Sequence, residues 1–189
     1  MKNNSDCDVF LFLSEKKMII SANSELNKNV YREELIHNQN LETLISDKLD
    51  AFLNDNIFKI EKKIEKFIKN ICIILESENF FHVEISLKKI DYDNSIITKN
   101  LNYLLSEAQD CCKRTIDERQ IIHMIIDNYK INDNVYLDIP KDIDGSTFSI
   151  SVKFHCVSSS VVKNLEKILK KYEISLGKII SEDYLNKFL

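Results

Sequence analysis

Glycine is almost missing from this chain, since only Gly145 and Gly177 occur among its 189 residues. Loops that cradle a nucleotide phosphate use glycine, because the backbone N–H groups must approach the phosphate oxygens closely. Neither glycine lies in a glycine-rich segment. The scarcity therefore argues against a nucleotide-binding enzyme of the P-loop, dinucleotide-binding or actin type.

Long apolar runs and a surplus of basic residues are missing as well. No window approaches the roughly 20 apolar residues of a membrane helix, and the N-terminus does not resemble a signal peptide. The net charge of −4 is spread along the chain without a basic stripe, which argues against a nucleic-acid surface. Hydrophobic residues make up 44% and charged residues 30%, as in soluble folded domains. We therefore expect a cytoplasmic protein with no direct membrane anchor in this chain.

Cysteine occurs in an odd number and without the spacing of a metal site. In a cytoplasmic protein such cysteines are expected to stay reduced. The pair Cys111-Cys112 is predicted to end a helix, with Cys112 facing the core and Cys111 facing away. The five cysteines are Cys7, Cys72, Cys111, Cys112 and Cys156.

The first half of the chain changes from the period of strands to that of a helix. Between residues 41 and 68 apolar side chains recur at steps of three and four, which predicts a helical face that covers a sheet. The polar residues 54–56 leave open whether this is one bent helix or two. The predicted strands are residues 9–13 and 18–22, which form a hairpin, and residues 29–36 and 71–75.

The second half contains one strictly alternating strand, residues 148–156. Its apolar positions are predicted to pack on the amphipathic helix 161–172. The apolar positions are Phe148, Ile150, Val152, Phe154 and Cys156. The other predicted elements are strands at 81–87, 120–129 and 174–180, a helix with an apolar face at 97, 101, 104, 105, 108 and 112, a loop at 132–146 and a last helical turn. The whole order predicts an α+β fold.

The segment 121–129, IIHMIIDNY, carries a family resemblance. It is similar to the pattern apolar-apolar-His-apolar-Ile-Pro-x-x-Tyr-x-x-Asp in the inserted subdomain of FtsA, the actin-like protein of bacterial cell division. Ile126 stands where the family has proline, and Asp133 lies close to the family's aspartate. The turn at Gly145 and the strand that ends at His155 also resemble that subdomain.

The resemblance implies a truncated actin-like (ribonuclease-H-like) part followed by a strand–helix–strand–strand module. Residues 1–77 would form the partial core, and residues 78–180 the inserted subdomain with a mixed or antiparallel sheet and packed helices. Residues 181–189 would begin a return helix. The departures matter equally, because the family's first strand leads into an Asp-Ile-Gly phosphate turn, whereas here residues 14–16 are SEK. ATP binding, FtsZ binding and membrane anchoring are therefore not carried over, and no cofactor is predicted.

The predicted function is a non-enzymatic protein-interaction scaffold in bacterial cell division, recruited to the division site at the inner membrane. Its partners would be division-machinery proteins or a second copy of itself. Open sheet edges pair with other chains unless they are protected, and the edge is predicted at Tyr129, Ile131 and Asp133. An alternative is an adaptor similar to the actin homologue of pilus assembly.

An alternative from another class is a small-ligand-binding or thiol-dependent enzyme with a groove near Cys111 and His123. A hydrolase that uses His155 and Cys156 is excluded, because adjacent strand residues point to opposite faces. His123 and His155 are expected on neighbouring strands, but two histidines alone make a poor zinc site. No catalytic or metal-binding residue is therefore predicted.

Overall fold

The computed structural model describes residues 8–23, 28–90, 97–132, 134–139 and 147–188, and in these ranges the chain forms nine strands and five α-helices. The strands are β1 (Val9–Leu13), β2 (Lys17–Asn23), β3 (Asn29–Ile36), β4 (Asn70–Leu75), β5 (Phe81–Ile90), β6 (Arg119–Ile131), β7 (Asn134–Tyr136), β8 (Thr147–Ser158) and β9 (Ser175–Ser181). The helices are α1 (Leu41–Asp47), α2 (Leu49–Ile64), α3 (Ile97–Thr115), α4 (Ser159–Lys170) and α5 (Glu182–Phe188).

The chain divides into two compact units. The first contains Met1–Phe80 and Ser158–Leu189, and the second contains Phe81–Val157. The predicted α+β class is confirmed. The division differs from residues 78–180 expected for the inserted part, because β9 pairs with β4 and so belongs, with α4, to the first unit.

The first unit is built on a five-stranded sheet in the order β3-β2-β1-β4-β9. β1, β2 and β3 pair in antiparallel fashion, which confirms the predicted hairpin, whereas β1 with β4 and β4 with β9 are parallel. The turn between β1 and β2 and the carboxyl end of β4 therefore lie at the same end of the sheet. The turn at this end of the sheet is one of the candidate sites.

Two helices, not one, follow β3. Asn40 caps α1, since its Oδ1 accepts a hydrogen bond of 2.9 Å from the Thr43 N–H. The chain breaks at Lys48 and not at residues 54–56. Asn56 is buried in α2, where its Nδ2 donates to the Phe52 carbonyl oxygen at 2.7 Å and its Oδ1 accepts from the Tyr31 hydroxyl. Because this polar side chain is satisfied internally, the helix continues through it.

The second unit is a four-stranded sheet in the order β5-β8-β6-β7, with α3 packed on it. The predicted apolar face of β8 is confirmed, because all five alternate residues are buried. The helix predicted to cover it is wrong: Leu104, Ala108 and Cys112 of α3 complete this core, whereas α4 contacts β9 in the first unit. Chain order was misleading here, since β8 runs directly into α4. No helix within the described ranges is long and apolar enough to span a membrane.

Candidate functional site

The predicted partner-binding residues lie where β6 turns into β7. Tyr129 pairs with Tyr136 and Ile131 pairs with Asn134, so β7 occupies the edge that was expected to be open. Ile131 is 1% exposed and belongs to the core that contains α3. The prediction of an exposed edge at Ile131 is therefore wrong, because the chain reverses immediately after it and pairs with itself.

Tyr129 is half-buried and packs inside the second unit. Its ring stacks on that of Phe148, with the centroids 6.4 Å apart and an interplanar angle of 26°. Burial, and then the negative charge of Asp138, raises the pKa of its hydroxyl. Asp133, the third predicted residue, lies outside the described residues. Tyr129 therefore has a packing role, which the resemblance to FtsA did not predict.

The edge of this sheet lies at β7, a few residues beyond the predicted position. β7 pairs only with the last three residues of β6, and the described residues place no strand beyond it. Val135 is 65% exposed and Leu137, directly after the strand, is 81% exposed. The polar residues 132–134 between apolar neighbours are a hairpin signal, and Asn132 has a positive φ of 47°, which asparagine tolerates.

The turn that joins β1 to β2 is held by the protein's own side chains. Ser14 is 2% exposed, and its hydroxyl accepts hydrogen bonds from the N–H groups of Lys16 at 3.3 Å and Lys17 at 3.1 Å. The Glu15 N–H donates to Oε2 of Glu76, just after β4, at 3.4 Å. Consecutive N–H groups form a typical anion-binding concavity. Here a phosphate would have to displace the serine hydroxyl and approach a carboxylate.

His37 lies beside this turn and was not identified from the sequence. Its backbone N–H donates to the Lys16 carbonyl oxygen at 2.8 Å. The side chain is 8% exposed and neither ring nitrogen makes a hydrogen bond of good geometry among the described residues, although an interaction with the Lys17 backbone opposes the lowering of the ring's pKa. Burial, and then the positive charge of Lys48, lowers the pKa of the ring. A buried, neutral imidazole with free hydrogen-bonding capacity is a group that water or a polar ligand atom satisfies.

The adjacent cysteines separate as predicted. Cys112 is 0% exposed and its thiol interacts with that of Cys156, whereas Cys111 is partly exposed and accepts a hydrogen bond of 3.3 Å from Nη2 of Arg114. Burial raises the pKa of Cys112, and it raises the pKa of Cys156 to about 12. Since the thiolate is the reactive form, these two buried thiols are not activated nucleophiles.

Three histidines form a row across the second sheet, with one residue on each of β5, β8 and β6. His82 lies opposite His155 in the strand register, with ring centroids 4.5 Å apart, and the His123 ring lies 5.9 Å from that of His155. Burial lowers the pKa of His123. His82 was missed because its place beside His155 depends on strand pairing. In the described part of the chain, no group of three or more His, Cys, Asp or Glu side chains could hold a metal ion.

No family model and no curated protein matches this chain. Among solved structures it is similar to a chain of the PilM–PilN type IV pilus biogenesis complex, with 10% identity, a TM-score of 0.52, and coverage of 95% of this chain and 48% of that one. It is also similar to the cytoplasmic domain of EpsL, an inner membrane component of the type II secretion system of Vibrio cholerae, with 12% identity, a TM-score of 0.40, and coverage of 92% and 54%. A Bacteroides thetaiotaomicron protein with an actin-like ATPase fold and unknown function shows 14% identity, a TM-score of 0.37, and coverage of 97% and 56%.

The fold is actin-like, which confirms the architecture predicted from the sequence. The similarity to the pilus-complex chain concerns the fold, and it does not distinguish FtsA from other actin-like proteins. The chain spans about half the length of the solved chains it matches.

Proposed function

We propose that this chain is a non-enzymatic protein-interaction adaptor. The turn between β1 and β2 is the observation that carries the proposal. In the FtsA family the corresponding turn binds phosphate, whereas here Ser14 and Glu76 accept hydrogen bonds from its N–H groups. The protein's own oxygens thus occupy these donors. The exposed sheet edges are then the surfaces best suited to bind another protein.

The β7 edge supports this proposal for the second unit. An extended segment of a partner can add to a sheet edge, where main-chain hydrogen bonds provide affinity and alternate side chains provide selectivity. β7 offers three residues for such pairing, and Val135 and Leu137 expose apolar surface beside it. A partner strand with apolar alternate residues would fit this edge.

The cellular setting follows from the resemblance. Similarity to FtsA supports a role in the bacterial division machinery, with division proteins as partners at the inner membrane. A second candidate is an adaptor in pilus assembly, which the fold similarity to a chain of the PilM–PilN complex favours. The two candidates share the same chemistry, since both use protein–protein contacts and neither requires catalysis by this chain.

The first test concerns the closed turn. We expect isothermal titration of the chain with Mg-ATP to show no saturable heat. A Kd below about 1 mM, equivalent to about −4 kcal/mol, would contradict the proposal. Ser14→Gly with Glu76→Gln removes the hydroxyl acceptor and the carboxylate charge, so it reports whether these two side chains alone keep ATP out.

The second test concerns partner binding. We expect one or more purified division or pilus-assembly proteins of the same cell to bind the chain, and Val135→Asp with Leu137→Asp to weaken that binding about tenfold, or about 1.4 kcal/mol. Asn134→Asp is the matched control, because it adds a carboxylate on the same strand at the neighbouring position. Failure of all these proteins to bind would overturn the proposed adaptor role. Equal binding by the wild-type chain and the double variant would show that β7 is not the binding surface.

A further inference from the structure

β3 is a long edge strand of the first sheet, and its outer edge is open. It has eight residues, pairs with β2 on one side, and has no strand on its other side among the described residues. Leu35 is 37% exposed and Ile36 is 80% exposed. Natural proteins usually protect such an edge, because its free N–H and C=O groups pair readily with another chain. β3 carries the charges of Arg32, Glu33 and Glu34, which usually protect an edge, so a strand that pairs with it must supply complementary charges.

The contacts of Tyr31 and Arg32 assign the two faces of β3. The Tyr31 hydroxyl bonds to Asn56 of α2, and the Glu33 charge adds to burial in raising the pKa of Tyr31. Tyr31, Glu33 and Leu35 thus share the face toward α2, since side chains alternate along a strand. Arg32 and Glu34 share the opposite face, where Arg32 Nη2 lies 3.8 Å from Glu34 Oε2. Alternation places Ile36 on that face as well, whereas Val30 lies at a β-bulge, where the pairing with β2 shifts from Tyr31 to Asn29.

The sequence of β3 is complementary to its own reverse. When two antiparallel copies are related by a two-fold axis perpendicular to the sheet, one residue must lie opposite itself. If that residue is Glu33, then Arg32 lies opposite Glu34 of the second copy. Tyr31 then lies opposite Leu35 on the other face. Directly opposite pairs of unlike charges and of apolar residues are the pairs that stabilise a sheet.

Neighbouring symmetric registers lack this match. With the axis at Arg32, two arginines face each other and Tyr31 lies opposite Glu33. With the axis at Glu34, two glutamates face each other and Arg32 lies opposite Ile36. The register centred on Glu33 has one unfavourable pair, the two Glu33 side chains on the axis. Of these three registers, it is thus the one that pairs Arg32 with Glu34 and Tyr31 with Leu35.

We propose that a second copy of this chain docks on β3 and joins two five-stranded sheets into one. The docked strands pair in the register centred on Glu33, with the Arg32–Glu34 pairs formed twice by symmetry. This inference rests on the proposed adaptor function and names one partner for it. The proposed dimer uses the edge at β3 and not the edge at β7. An experiment can therefore exclude one of these two surfaces without excluding the other.

The test measures self-association of the full chain by sedimentation velocity at low salt, up to about 1 mM protein, a range that detects weak dimers. We expect a reversible dimer that Arg32→Glu weakens about tenfold, because both symmetric pairs become like-charged. Combining Arg32→Glu with Glu34→Arg should restore the dimer to within about threefold of the original Kd. Glu33→Gln should tighten the dimer about threefold, because it removes the repulsion on the axis.

Lys59→Glu on the exposed surface of α2 is the matched control, since it makes the same charge change away from the strand. We expect it to leave the Kd unchanged, and thermal unfolding of each variant reports whether the fold is retained. A strictly monomeric chain, or a dimer insensitive to Arg32→Glu, would overturn the proposal. A dimer broken instead by Val135→Asp would also overturn it, and would leave the adaptor function intact with β7 as its surface.

Discussion

Two central strands of this molecule, β4 and β8, are buried in different ways. In β4 the consecutive residues Ile71, Cys72 and Ile73 are all buried. In β8 burial alternates strictly from Phe148 to Val152, with half-exposed residues between the buried ones. A strand that is buried on both faces has a continuous apolar sequence, and a strand with one face covered has an alternating one.

The sheets around these strands explain the difference. β4 lies between two parallel neighbours, and parallel strands are covered on both faces as a rule. β8 lies between β5 and β6, with α3 packed against its apolar side chains. The period of apolar residues along a strand therefore reports how many of its faces are covered. It does not report which helix covers them.

The largest effect should come from the apolar face of β8. Phe154 is 0% exposed, so Phe154→Ala should lower the free energy of unfolding by about 3–5 kcal/mol. Lys153→Ala, at the adjacent half-exposed position, should change it by less than about 0.5 kcal/mol. Urea unfolding of both variants is the measurement. Similar losses for the two substitutions would show that one-face burial is wrong for this strand.

The same pair of measurements on β4 should give two losses. Ile73→Ala should cost about 2–5 kcal/mol, and Cys72→Ser should cost about 1–3 kcal/mol, because it places a hydroxyl in a buried site. Both residues are buried although they point to opposite faces. A neutral Cys72→Ser variant would mean that β4 is exposed on one face, like β8.

The role of α3 as the cover of the second sheet is tested at its smallest core residue. Ala108 is 0% exposed within the core of β8, so Ala108→Leu should overfill that core and cost about 1–3 kcal/mol. Ser106→Leu adds the same side chain at an exposed position of α3 and should be nearly neutral. If Ala108→Leu is tolerated as well as Ser106→Leu, the helix does not pack on this sheet.

The smallest effect concerns a polar contact of the first unit. The Tyr172 hydroxyl donates to Oδ1 and to the carbonyl oxygen of Asp50, each at 2.9 Å. Tyr172→Phe should therefore cost about 0.5–1.5 kcal/mol. Lys171→Ala, which removes an exposed ion pair with the same carboxylate, should cost about 0–1 kcal/mol.

This contact also predicts a dependence on pH. Burial, and then the bond to Asp50, raises the pKa of Tyr172 from 10.0 to about 12. A pKa raised by folding means that the stabilisation is complete below pH 10 and is lost as the pH rises toward 12. Wild type should thus lose its advantage over Tyr172→Phe across that interval in urea titrations. A constant difference between the two proteins would contradict the raised pKa of Tyr172.

Much of the fold could be predicted from the period of the sequence. The predictions were correct for the first and last strands of the first unit, for the alternating face of β8 and for the inward orientation of Cys112. Each of these features depends on neighbours within a few residues. Whether there is one helix or two was left open, and the candidate break at residues 54–56 was misplaced, because the chain breaks at Lys48. Propensity alone did not decide it, since Asn56 is satisfied by contacts with Phe52 and Tyr31.

The candidate sites were predicted less well, because they combine residues that are distant along the chain. The edge near Ile131 was misplaced, since pairing with β7 buries this residue. His82 was missed beside His155, because its position follows from the pairing of β5 with β8. The two-unit division was also shifted, since it depends on β9 returning to β4.

Most of the helices and strands, the faces they bury and the missing glycine-rich phosphate loop could be predicted from the sequence alone, whereas β7 lies inside the segment 132–146 that was predicted as a loop. These properties are local, because side-chain period and backbone freedom are set by adjacent residues. Only the tertiary structure decided that α3 covers β8 and that Glu76 reaches the turn at Glu15, across a separation of 61 residues. The physical reason is that contacts between distant segments depend on how whole strands and helices pack, which no local pattern encodes.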